Sequence, residues 1–86
     1  MSYSVEFYTG TYSIGNETTI KLTKDGNSFY GEIKGVGKVK IYPESNTHFF
    51  LRDLDIQLEF KSSSEVANNF TLIQNGVKHL ATRKQS

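Results

Sequence analysis

The sequence predicts an all-β fold, about eight short antiparallel strands in a meander that closes into a small barrel. Three observations carry this expectation. Turn chemistry recurs roughly every 8–12 residues, the spacing of a sandwich or barrel. Between turns, apolar and polar residues alternate with the period of a half-buried strand. No window carries a helical pattern. The nearest is "SSSEVANNF" (62–70), where Ser64 is a cap candidate, but its asparagines and the β-like run that follows argue against a helix.

The elements follow in order. A short helical turn is expected near residues 2–7, followed by "YTGTY" (8–12). In an extended segment Tyr8, Gly10 and Tyr12 share one face. A glycine between two aromatics leaves room for another group to lie close. This is a packing device that closes the sheet or, as the alternative, one wall of a ligand pocket. After the turn "IGNE" (14–17), "TIKLTK" (19–24) puts Ile20 and Leu22 on one face and Lys21 and Thr23 on the other. "KDGN" (24–27) offers Asp25-Gly26 for a tight hairpin, because Asx-Gly pairs accept positive φ. In "FYGEIK" (29–34) Phe29 and Ile33 alternate with Tyr30, Glu32 and Lys34. After "KGVG" (34–37), Val39 and Ile41 alternate with Lys38, Lys40 and Tyr42. Pro43 fixes φ and withholds a ladder donor, so a strand should stop there. "ESN" (44–46) is turn chemistry. In the next short strand Phe49 and Phe50 point to opposite faces, one buried and one outside or at a barrel mouth, with His48 beside the outer one. "RDLD" (52–55) makes a turn, then Ile56, Leu58 and Phe60 alternate with Gln57, Glu59 and Lys61. After "KSSSE" (61–65), Phe70 and Leu72 share a face, and Asn75-Gly76 forms a second tight hairpin before the last strand. Strands with one dry face belong to antiparallel sheets. An open meander leaves two exposed edges, and closure removes them.

The length of 86 residues allows one domain, 1–86, with a core that must be used fully. With no cysteine there is neither a disulfide nor a thiolate zinc site. Ten basic against nine acidic residues is too even a balance for a dedicated phosphate-backbone binder. No apolar run approaches the ~20 residues of a membrane-spanning helix. The start "MSYSVEF" lacks the basic and apolar regions of a signal peptide, so a soluble chain is expected.

Catalytic chemistry is hard to find. His48 and His79 fall on strands that are not neighbours in a meander, without ligand-spaced carboxylates, so no metal and no cofactor is expected. Asp53 and Asp55 read as a solvated turn rather than an acid–base pair. No G-x-S-x-G elbow, S-x-x-K pair or phosphate-cradling loop is present. Lys34, Lys38 and Lys40 with Tyr30 and Tyr42 are the best argument for nucleic acid, but Glu32 sits among them and a solvated outer face is the simpler reading. The sequons at Asn16 and Asn69 read as chance matches.

Three stretches carry a family resemblance: "YTGTY" (8–12), "IYPESNTHFFLRDLDIQLEF" (41–60) and "LIQNGVKHLATR" (72–83). In residue type and order they resemble a domain attached to the C-terminus of serine beta-lactamase-like proteins and penicillin-binding-protein relatives. The likeness spans about residues 8–83. It implies a small lipocalin-like barrel, a non-catalytic accessory or interaction role, and a serine hydrolase domain or other protein as partner. The fused forms it points to are typically of the cell envelope or periplasm. The hydrolase half is not in this chain, and no active-site residue carries over. The alternative is a lipocalin-like protein for a small apolar ligand, with Tyr8, Tyr12, His48, Phe49 and Phe50 as the candidate contact residues.

Overall fold

The structure, a computed structural model, describes residues 5–15, 18–61 and 66–84. A short 3-10 helix, Val5–Phe7, leads into eight strands: β1 (Gly10–Ile14), β2 (Thr18–Asp25), β3 (Ser28–Ile33), β4 (Gly37–Pro43), β5 (His48–Phe50), β6 (Ile56–Glu59), β7 (Asn69–Gln74) and β8 (Val77–Arg83). Each strand pairs antiparallel with the next, and β1 also pairs with β8, which closes the barrel. The closing register is Tyr12 opposite Arg83, Ser13 opposite Thr82 and Ile14 opposite Ala81. The all-β barrel is the one the sequence predicts. Ser64, the cap candidate, and Asn16 of the first sequon lie outside the described residues. Among the described residues no helix is long and apolar enough to cross a membrane.

The period-two pattern sets the core. Ile20, Leu22, Phe29, Ile41, Ile56, Leu58, Phe60, Phe70 and Leu72 are buried, with Ile33 and Val39 half-buried against them. Tyr8, Tyr12, Phe49, Leu51 and Ala81 complete the buried set. Leu58 is 1% exposed. Leu58→Ala is therefore expected to cost about 3 kcal/mol in urea unfolding. A value near zero would remove it from the core and shift the register assigned to β6.

Two turns show how local chemistry fixes register. In the β7–β8 hairpin Gln74 pairs with Val77, so Asn75 and Gly76 are the loop, at φ 51° and 82°. That is the expected two-residue turn with positive φ at both positions. The β2–β3 hairpin differs from expectation. Asp25 pairs with Ser28, so the loop is Gly26-Asn27 and not Asp25-Gly26. Only Gly26 has positive φ, 61°, the pattern of a mirror-type turn with glycine first. The apolar alternation decides the difference: Leu22 and Phe29 must both face inward, and a one-residue slip would turn one of them out. Pro43 ends β4 opposite Phe49, and the N–H groups of Glu44 and Ser45 both donate to the His48 carbonyl, at 2.9 and 3.1 Å.

An up-and-down barrel sends alternate connections to opposite ends. The β2–β3, β4–β5 and β6–β7 connections gather at one end with the 3-10 helix and the end of β8. The β3–β4, β5–β6 and β7–β8 connections gather at the other with the end of β1. These two ends have different chemistry.

Candidate functional site

The first end is closed by aromatic rings and one arginine. Tyr8 stacks on Phe60 with centroids 3.9 Å apart and meets Phe49 edge-on at 5.6 Å. Phe60 continues to Phe70 at 4.9 Å, and Phe70 to Tyr12 at 4.8 Å. Tyr8 Oη donates to the Asn46 carbonyl at 2.7 Å, and Tyr12 Oη donates to the Tyr8 carbonyl at 2.8 Å. Burial pushes both phenols above their ordinary pKa of 10.0; at Tyr12 the Arg83 charge opposes this and Tyr8 adds to it.

Arg83 fastens the segment before β1 to the rest of the barrel. Its Nε donates to the Ala67 carbonyl at 2.5 Å, Nη1 to the Thr9 carbonyl at 2.9 Å, and Nη2 to the Phe7 carbonyl at 3.3 Å and to Tyr12 Oη at 2.9 Å. Gly10 has φ 139°, and a β-carbon there would overlap the guanidinium. The gap between the two tyrosines is thus filled by a charged fork from the far end of the chain, the packing device anticipated for "YTGTY".

The tyrosines set an alkaline limit. Up to the ordinary tyrosine pKa, folded and unfolded chains hold the phenolic protons alike. Above it the unfolded chain releases them first, while the folded chain still binds them. Folding stability is then lost as pH rises, because the native state binds more protons. The midpoint of thermal unfolding should be flat from pH 7 to about 9 and fall above about 10. A phenolate absorbance titration in which Tyr8 and Tyr12 ionise no later in the folded chain than in the urea-unfolded chain would contradict this.

The five candidate contact residues do not form one site. Tyr8, Tyr12 and Phe49 are buried in the closed end at 0–2% exposure. Phe50 and His48 lie on the outer surface, Phe50 half-buried and stacked on Tyr42 at 5.8 Å. Phe49 is therefore the buried ring of the pair and Phe50 the outer one, with His48 beside it.

His48 stands in a row the sequence reading missed. The hydroxyls of Thr47 and Ser45 lie 3.0 and 3.4 Å from its Nδ1, and its Nε2 lies 3.3 Å from Glu59 Oε2. The row has the composition of a nucleophile–base–acid relay. Its local construction is that of a turn: Ser45 Oγ accepts from the N–H groups of Thr47 and His48, at 3.3 and 3.1 Å. The side chains of His48 and Glu59 are nearly half exposed, where water screens the pair. His79 is far away on β8, as expected, and among the described residues no cluster of three or more His, Asp or Glu could hold a metal ion.

The outer lysines lie over aromatic rings. Lys38 Nζ is 4.7 Å from the Tyr30 centroid, and Tyr42 has Arg52 at 4.1 Å and Lys40 at 5.4 Å. Glu32 pairs in register with both Lys21 and Lys38. Ring faces that a base would need for stacking are partly covered by the protein's own cations.

The second end is open and aliphatic. A cavity of about 260 Å³ lies there, with Ile14, Ile20, Ile33, Ile56 and Leu72 among its walls. Val36 and Leu54, at 53% and 37% exposure, stand at its edge. Thr18, Asp55, Gln74, Asn75 and His79 bring polar groups to it. None of the five candidate contact residues lines it. The signal that could have found it was topological. Alternate turns of a closed meander share an end, and His79 has the inward parity of Ala81 on β8.

Over 76 residues, 88% of this chain, the sequence is 33% identical to Penicillin-binding protein 4* of Bacillus subtilis (strain 168). The aligned stretch is 17% of that protein, so the chain spans less than a fifth of the curated relative it matches. No family model matches the chain, and no solved structure does.

Proposed function

We propose that this chain is a non-catalytic accessory barrel of the kind attached to penicillin-binding-protein-related serine hydrolases, with a hydrolase domain of that type as its partner. One observation carries the reading: nearly the whole chain aligns with a small, domain-sized portion of a penicillin-binding protein. What the two share is a barrel's worth of sequence. In this chain Tyr8, Gly10, Tyr12 and Arg83 are engaged in closing the barrel. The Ser45–His48–Glu59 row is compatible with this role, because the serine oxygen already caps the turn that delivers His48 to β5. On this reading the chain needs no cofactor, has no nucleic-acid partner, and follows its hydrolase partner to the cell envelope.

Enzymatic assay of the purified chain is the test. With a chromogenic cephalosporin and a p-nitrophenyl ester, turnover should not exceed buffer, and a fluorescent penicillin should not label the chain. Turnover that disappears in Ser45→Ala and in His48→Gln would overturn the reading and make the outer row an active site. Binding to the hydrolase domain of a penicillin-binding protein, measured by titration calorimetry, is the expected positive result.

A further inference from the structure

We infer that the open end of the barrel is a binding site for a small aliphatic molecule carrying one uncharged hydrogen-bonding head, of the primary-amide type. This goes beyond the accessory role and does not depend on which protein the barrel accompanies.

Size comes first. An apolar cavity of about 150 Å³ accepts benzene. The cavity here is about 260 Å³, which on that scale holds about ten non-hydrogen atoms. Its deep walls are branched aliphatics from different strands: Ile20 of β2, Ile33 of β3, Ile56 of β6 and Leu72 of β7. The aromatic rings are gathered at the other end of the barrel, so the deep part suits an alkyl group. Seven of the lining residues are apolar and five are polar, a wall with both an apolar part and groups that can orient a ligand.

The polar groups choose the head. The side chains of His79 and Gln74 line the cavity and make no hydrogen bond or ion pair among the described residues. His79 is half-buried, and among the described residues no buried side-chain nitrogen or oxygen lacks a partner, so its ring nitrogens face water that a ligand's head would replace. The imidazole and the Gln74 amide can both donate and accept, and the Asp55 carboxylate accepts. Asp55 is the one carboxylate among the lining residues. A carboxylate head would meet it as a like charge, whereas a primary amide can donate to it and accept from Gln74 or His79. Lipid acids are therefore disfavoured and neutral amides favoured.

The experiment is an amide-resolved NMR titration of the full chain with 4-methylpentanamide and, separately, 4-methylpentanoate. The amide should give saturable shifts at Val36, Leu54, Asn75 and His79 and none at Gly10, Ala67 or Arg83. Its dissociation constant should be on the order of 0.1–1 mM, as befits a ligand this small. The carboxylate should bind at least about tenfold more weakly. His79→Leu should weaken the amide about fivefold or more. Val36→Trp places a bulky ring at an exposed loop position and should block binding while the spectrum stays folded. No shift by 10 mM amide, or shifts confined to the closed end, overturns the site. Equal binding of amide and carboxylate, or undiminished binding in His79→Leu, overturns the head-group assignment. None of these results bears on turnover by the chain, so this inference and the accessory reading fail separately.

Discussion

Arg83→Met is expected to lower folding stability by about 3–5 kcal/mol, although Arg83 lies at the last residue of the last strand. The reason is what the guanidinium holds. Three carbonyls, of Phe7, Thr9 and Ala67, and the Tyr12 hydroxyl all receive hydrogen bonds from it. Methionine fills similar volume but leaves these acceptors unpaired at the closed end. Each charge-assisted bond contributes about 1.5–3 kcal/mol, and water reaching the half-buried site recovers part of the loss. For a domain of this size the midpoint of thermal unfolding should fall by about 15–30 °C. Arg83→Lys should recover less than half of the effect, because one ammonium cannot present the planar fork that reaches four acceptors. Gly10 supplies an independent check. Gly10→Ala forces a side chain into positive φ and displaces the guanidinium. In the Arg83→Met background the displacement has already been made, so the two losses should not add. A loss below about 1 kcal/mol for Arg83→Met would show that water replaces the fork at little cost. Strict additivity with Gly10→Ala would show that the two residues do not act together.

The strands were legible because each has one wet face: Ile20 and Leu22 against Lys21, or Ile56 and Leu58 against Gln57, leave little choice of register. Gly26 was misplaced by one position because Asx-Gly is a local signal, and the partner strand decides where the loop falls. The contact residues were harder. Tyr8 and Tyr12 look like pocket residues because a glycine separates them, yet the group that fills the gap is Arg83, more than 70 residues away. Sequence spacing along β1 carries no information about it. The open end fails for the complementary reason. Its residues are ordinary ones, Ile14, Leu54, Gln74 and His79, contributed by alternate turns and strand ends. They become a site only when the meander closes. Residues 41–51 supply a turn and buried side chains such as Phe49, and none of them lines the cavity.

Phe60→Ala should remove about 3–5 kcal/mol, much of what an 86-residue domain possesses at about 0.05–0.15 kcal/mol per residue. Phe60 follows the last residue of β6 and keeps that strand's inward parity, with its N–H donating to the Thr47 carbonyl at 2.8 Å. Its ring is 3% exposed and touches three others: Tyr8 stacked, Phe70 tilted and Phe49 edge-on. Truncation loses that area, the ring pairings and the contacts across the cavity left behind. Collapse cannot refill the space cheaply, because Tyr8 and Tyr12 are tied by their hydroxyls to the Asn46 and Tyr8 carbonyls. Phe60→Leu, which keeps most of the volume, should cost less than half as much. Urea unfolding with near-ultraviolet circular dichroism of the tyrosines reads both quantities; a cost under about 1 kcal/mol would show that the aromatic end repacks freely. The same variant tests whether the barrel is divided in two. If the aromatic end only provides stability, amide binding at the open end should change less than about threefold in Phe60→Ala wherever the chain remains folded. A larger change would mean that Leu58, Leu22 and Ile41, the aliphatic residues between the ends, transmit the disturbance, and that closure at one end sets the shape of the other.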